Sequence, residues 1–188
     1  YFEKIEEIVE FIDDIRNPYG IYTLLRNYAI NNGKIHKRRI ETKKDEFIEV
    51  EDYYEPNDPE EYVIIIVDHI SLIQPEKNRD TGLPMTLHES IGKLSSDYLI
   101  KLRNRFNYIP VVIQQQSAAQ ESVENQKANR LKPTMDGLGD SKLIGRDANV
   151  IVGLFSPFRH SIPEYLGYDI TKFKDNIRFL EIIGGREG

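Results

Sequence analysis

The sequence predicts an α/β protein: three layers, with a mostly parallel sheet flanked by helices. Three observations carry the prediction. Tyr62–Val67 reads Y-V-I-I-I-V, apolar throughout and without alternation, which is the pattern of a strand covered on both faces. Leu87, Ile91, Leu94, Tyr98, Leu102 and Phe106 recur at helical spacing and make one long apolar face. Val111–Ile113 is a second strand of the buried type. The order strand, long helix, strand closes as a right-handed βαβ unit.

The other elements follow along the chain. Phe2, Ile5 and Ile8 fit a short helical stripe, after which Ile8–Ile12 turns β-rich and ends in Asp13-Asp14. Asn17-Pro18 opens a helix that carries Ile21, Leu24, Leu25 and Tyr28, and Gly33 is placed to stop it. Residues 34–44 hold six Lys or Arg against the single Glu41, while residues 45–61 hold nine carboxylates and no Lys or Arg. With alternation around Ile35–Ile40 and Phe47–Val50, this segregation predicts a hairpin over 34–61 whose strands attract across the ladder. The competing reading of the basic stretch is a nucleic-acid patch. Pro56-Asn-Asp-Pro59 reads as a connection.

Thr86-Leu-His-Glu89 fits a capping box, with Thr86 as the cap and Glu89 reaching back. Pro110 ends the long helical region. Residues 117–137 are polar and read as a loop, a length that inside a compact domain is usually functional or mobile. A short helix is expected at Lys142–Asp147. Asn149–Phe155 and Ile177–Ile183 are further strands, separated by Pro157, Pro163 and Gly167.

Composition bounds the function. The 188 residues suit one domain, and 39% apolar residues with 12 glycines suffice for one sizeable core. Lys and Arg number 25 against 31 Asp and Glu, a net charge of −6. That balance argues against a surface that coats nucleic acid by charge alone and leaves room for a local basic loop. With no Cys, disulfides and thiolate metal sites are excluded, and His36, His69, His88 and His160 have no zinc spacing. No apolar run approaches a membrane span, and the N-terminus lacks the regions of a signal peptide, so a soluble intracellular protein is expected. The chain opens at Tyr1, has only Met85 and Met135, and ends in Gly-Gly-Arg-Glu-Gly. These ends lead us to expect a piece of a longer protein.

Ligands of open parallel sheets bind at the carboxyl ends of the strands. Asp68 follows one apolar strand directly, where a nucleotide hydrolase holds Mg²⁺; the other reading is a carboxylate capping the next turn. Gln114-Gln115-Gln116 ends the second strand, where an amide could sense phosphate or orient water, or where alternate side chains simply face solvent. Arg186 sits among Gly184, Gly185 and Gly188, either as a cation able to reach a neighbouring subunit's phosphate or as an ordinary exposed Arg. His69 and Ser71 lack the surroundings of a nucleophile–base triad, and His88 lies inside the capping box. Gly137-Leu-Gly139 is too short for a dinucleotide fingerprint. The phosphate loop G-x-x-x-x-G-K-[ST] is absent; Gly33-Lys34 and Gly92-Lys93 lack its context.

Over residues 62–188 the chain resembles the RecA-like ATPase domain of DnaB-type replicative helicases, in particular phage-like members. Y-V-I-I-I-V-D-H-I-S-L-I looks like the family's Walker B strand, I-P-V-V-I-Q-Q-Q-S like its next step, and I-I-G-G-R-E-G like its ending. D-S-K-L-I-G-R-D-A-N, from Asp140, resembles the segment after the family's channel loop. The resemblance implies a RecA-like core in which Asp68 coordinates Mg²⁺, Gln116 senses the γ-phosphate of ATP, and Arg186 is an arginine finger. It further implies that residues 117–137 are the DNA-binding loop, with Lys127, Arg130 and Lys132 as phosphate contacts on single-stranded DNA. Glu121 and Glu124 oppose those cations. Function would then be ATP-driven translocation by a homo-hexameric ring in the bacterial cytoplasm, with a primase or helicase loader as partner. The chain departs from the family at Gly184, where the family has Lys, and the P-loop and catalytic Glu have no counterpart. Another RecA-like ATPase, of recombinase or clock type, and a degenerate non-catalytic assembly module are the alternatives.

Overall fold

The structure, a computed structural model, describes residues 8–42, 46–78, 80–117, 122–127, 130–138 and 142–185. The expected stripe at Phe2 and Ile5 lies outside them. Residues 9–13 form no strand, and Ile8 and Phe11 stand exposed. A β-rich stretch needs a partner ladder for its backbone, and none of the described strands pairs with this one.

Helix α1 (Pro18–Asn31) starts where Asn17 caps it: the Gly20 N–H donates to Asn17 Oδ1 at 2.7 Å, with Pro18 in the first turn. It stops at Asn32, whose N–H donates to the Tyr28 carbonyl. Gly33 therefore begins the next strand instead of ending the helix. A Cβ there would come within 2.5 Å of the Tyr54 ring, so glycine is required by packing.

Strands β1 (Gly33–Glu41) and β2 (Phe47–Pro56) pair antiparallel, with a register shift between Ile35 and Lys37. The segregated charges meet across this ladder. Lys37 and Arg39 both face Glu49, and Arg38 lies 3.2 Å from Asp52. Those cations are thus occupied within the hairpin, which removes the main support for a nucleic-acid patch there.

β3 (Ile64–Val67) and β4 (Ile109–Val112) pair in parallel, Val67 opposite Val112. Between them run α2 (Leu87–Lys93), a π-helical stretch (Leu94–Leu99) and α3 (Ile100–Phe106). The capping box forms as the sequence predicts: the Glu89 N–H donates to Thr86 Oγ1 and the Thr86 N–H to Glu89 Oε2. The apolar spacing along this helix explains the π stretch. From Leu94 the face advances by four residues three times over, which would carry an ideal helix around by ~40° each time. Wider π turns take up that drift, and Leu94, Tyr98, Leu102 and Phe106 all stay buried.

Beyond β4 come α4 (Val123–Lys127) and α5 (Lys142–Asp147). β5 (Val150–Phe155) precedes a small antiparallel pair, β6 (Glu164–Tyr165) with β7 (Tyr168–Asp169). Then follow α6 (Ile170–Phe173) and β8 (Phe179–Gly185). β8 returns antiparallel to β5. The sheet structure is therefore mixed. Of the ladders among the described residues, only β3–β4 is parallel, which corrects the expected mostly parallel sheet. Parallel pairing needs a crossover, usually a helix, and between β5 and β8 there are only turns and the short α6.

The main core joins α1, the α2–α3 helix and one face of β3, around Ala29, Ile65, Ile91, Leu94 and Leu102. The opposite face of the parallel pair is open. Ile64 and Ile66 of β3 and Ile109 and Val111 of β4 are exposed. The unbroken apolar run predicted cover on both faces; among the described residues only one face has it.

Candidate functional site

Asp68 is exposed and directly follows β3. Its surroundings are fixed through the backbone. The Ile113 N–H donates to the Val67 carbonyl, and the Ile70 N–H donates to the Ile113 carbonyl, each at 3.0 Å. The turn after Asp68 is thereby fastened to the end of β4. The Asp68–His69 peptide is cis, and His69 Nδ1 is buried with no hydrogen-bond partner.

Gln116, also exposed, lies beyond the end of the neighbouring parallel strand. It bridges antiparallel to Leu138, and the Ser117 N–H donates to the Gly137 carbonyl at 3.0 Å. These contacts close residues 117–137 at the base, so any displacement of that segment is felt at Gln116. The segment is less irregular than its composition predicts, because it contains α4 and a 3₁₀ turn at Met135–Gly137. The same turn meets the end of β8. A Cβ on Gly184 would lie 3.0 Å from Met135 Sδ, so a side chain at Gly184, where the resemblance expects lysine, would have to displace Met135. At Gly185 a Cβ would come within 2.4 Å of the Asn149 carbonyl oxygen, and only glycine fits.

The structure thus gathers the ends of β3 and β4, the base of the 117–137 segment and the end of β8. Lys127 ends α4, while Arg130 and Lys132 are exposed farther along. Arg186 lies outside the described residues.

Two buried carboxylates support this region, and sequence reasoning missed both. Glu76, on the stretch between Asp68 and α2, accepts from the Tyr19 N–H at 3.1 Å and the Tyr98 hydroxyl at 3.2 Å. Lys93 Nζ is 2.9 Å away, which gives the Gly92-Lys93 pair a structural purpose. Asp147, at the end of α5, accepts from the Ser95 and Ser96 hydroxyls at 2.9 and 2.5 Å. It ties the segment after the loop to the π stretch. Buried carboxylates are retained only where such partners satisfy them. The one available sequence signal is Ser95-Ser96, two hydroxyls inside an otherwise apolar helical face.

Among the described residues, no three His, Asp or Glu side chains gather into a metal cage. A divalent ion at Asp68 would have to be bound as Mg²⁺ is, through one or two carboxylates with waters and phosphate oxygens filling the rest. An exposed carboxylate at a strand's carboxyl end fits that mode. No helix of the described residues is long and apolar enough to cross a membrane.

No protein-family model matches the sequence, and no curated protein matches it. Among solved structures, the chain is similar to a phage helicase ATPase domain, at 18% identity and a TM-score of 0.58. The match takes in 92% of this chain and 45% of that one, so the chain spans less than half of the structure it matches. At that identity the likeness is one of fold. The α/β arrangement, with parallel and antiparallel pairs and flanking helices, is broadly consistent with a RecA-like ATPase core.

Proposed function

We propose that this chain is part of the motor of an ATP-dependent replicative DNA helicase. In the complete protein, ring subunits couple ATP hydrolysis to translocation on single-stranded DNA. The observation that carries the reading is the placement of Asp68 and Gln116 at the ends of adjacent parallel strands, with Gln116 bridged to the base of the 117–137 segment. A ligand at the strand ends would touch both residues, and Gln116 would pass its presence to the loop.

Each residue then has a task. Asp68 supplies the carboxylate for Mg²⁺, which when bound neutralises charge on the terminal phosphates. Gln116 hydrogen-bonds the γ-phosphate side of the site. Arg186, following the glycine end of β8, reaches the site of the adjacent subunit in a homo-hexamer. Lys127, Arg130 and Lys132 meet the DNA backbone, and a ring multiplies so few contacts. Primase or a helicase loader is the expected protein partner, in the bacterial cytoplasm.

The test is Asp68→Asn in the complete protein. Nucleotide binding should stay within about threefold, while Mg²⁺-dependent hydrolysis drops by about 10² or more. Unchanged turnover would sink the Asp68 assignment. The sequence contains no phosphate loop. A complete protein that neither binds nor hydrolyses ATP would therefore be a non-catalytic assembly module built on the same fold.

A further inference from the structure

At the opposite end of the β3–β4 pair, where both strands begin, lies a cavity of about 170 Å³. Tyr62 and Val63 precede β3 there, and Asn107 and Tyr108 precede β4. Tyr28, Tyr54 and Phe106 complete its aromatic lining, and Glu61 stands among the lining residues. The cavity includes neither Asp68 nor Gln116.

Three observations call for an occupant. Tyr108 is only 3% exposed, yet its hydroxyl has no hydrogen-bond partner. A buried hydroxyl without a partner is costly, and native structures seldom keep one. Burial also pushes the Tyr108 pKa up, so the group stays a neutral hydroxyl with lone pairs to offer. Second, the rings do not form a parallel slot. Tyr28 meets Tyr108 at 68°, Tyr54 meets Phe106 at 86°, and Phe106 meets Tyr108 at 43°. A flat base needs parallel faces, whereas rings set at such angles wall a box. Third, the surroundings are acidic. Glu61 accepts from the Tyr28 hydroxyl at 2.9 Å, Asp58 and Glu60 flank it in the chain, and no Lys or Arg occurs from residue 45 to residue 76.

Aromatic faces, an unused hydroxyl acceptor and a carboxylate together select a cation with N–H donors. We propose that this cavity binds the side chain of an arginine or lysine presented by another polypeptide. The head group would lie against the tyrosine faces, donate to Tyr108 Oη and pair with Glu61. This site is independent of the nucleotide reading, since it lies at the other end of the sheet and shares no residue with it.

The chain has 11 tyrosines and no tryptophan, so tyrosine ring resonances report on the cavity directly. The protein is titrated at low salt with capped arginine (N-acetyl-arginine methylamide) and with the neutral N-acetyl-norleucine methylamide. Saturable movement of the Tyr28, Tyr54 and Tyr108 rings below about 50 mM is expected for arginine only. Glu61→Gln should weaken it about tenfold, and Tyr108→Phe about threefold with an unchanged melting temperature. Equal binding of norleucine, no saturable movement, or full affinity in Glu61→Gln would overturn the proposal and leave a water-filled hollow. Loss of stability in Tyr108→Phe with unaltered arginine binding would do the same.

Discussion

On strand β3, Ile65 is 7% exposed and Ile66, the next residue, is 65% exposed. The two side chains are chemically identical and point to opposite faces of one ladder. Ile65 meets the α2–α3 helix and α1; Ile66 meets no cover among the described residues. The hairpin β1–β2 makes the contrast sharper. Its strands carry charges that find partners across the ladder and are suited to water. The β3–β4 pair has no such polar side. A strand sequence records what its faces require, while the fold decides which requirement is met within the chain.

The largest test of that contrast is a matched pair of truncations. Ile65→Ala should cost about 2–4 kcal/mol, because it removes methyl groups from a packed core and leaves a cavity. Ile66→Ala should stay within about 0.5 kcal/mol, as ordinary surface changes do. Urea unfolding of both variants measures the difference. Equal losses would mean that the open face is covered in solution by a second copy of the chain.

How much was legible follows the same division between local and distant partners. The capping box at Thr86 and Glu89 could be read because its two members lie three residues apart. The apolar face from Leu87 to Phe106 could be read from its spacing. The hairpin showed through segregated charge. The roles of Glu76 and Asp147 could not be read. Glu76 finds Tyr19 at a separation of 57 residues, and Asp147 finds Ser95 at 52. Gly33 was misread for the same reason: it looks like a helix stop, and its actual constraint is the Tyr54 ring. Periodicity also could not say that one face of β3 lacks cover, since Ile64 and Ile66 read the same whether covered or not. At the site, Asp68 and Gln116 were found because strand ends are predictable. Their mutual placement required the parallel register.

A cap tests the local end of this division. Thr86→Ala removes the acceptor for the Glu89 N–H and the anchor of the box that starts α2. The expected loss is about 1 kcal/mol. It should be less than that of Ile65→Ala, with no effect on the hairpin. Thermal melts with hydrogen exchange of the hairpin amides would check both parts. A loss equal to that of the core truncation would show that helix initiation, more than packing, holds the covered face together.

The smallest effect belongs to the attachment of the hairpin to that core. Glu51 on β2 accepts from Arg26 of α1 and Arg105 of α3, each at 2.5 Å. The hydrogen bond from Arg26 holds its carboxyl below the ordinary carboxylate range, and the Arg105 charge adds to this. A depressed carboxylate contributes stability that is complete above its unfolded value, about 4.3, and is lost as pH falls through the lower folded value. Glu51→Gln should therefore lower stability by about 0.5–1 kcal/mol at neutral pH, the range for partly exposed pairs. The gap between variant and wild type should close below about pH 3–4. Urea midpoints at pH 7 and at acid pH provide the measurement. A gap that persists in acid would mean that the hairpin is held by the packing of Tyr54 on Phe106, and that Glu51 only fills space between the two arginines.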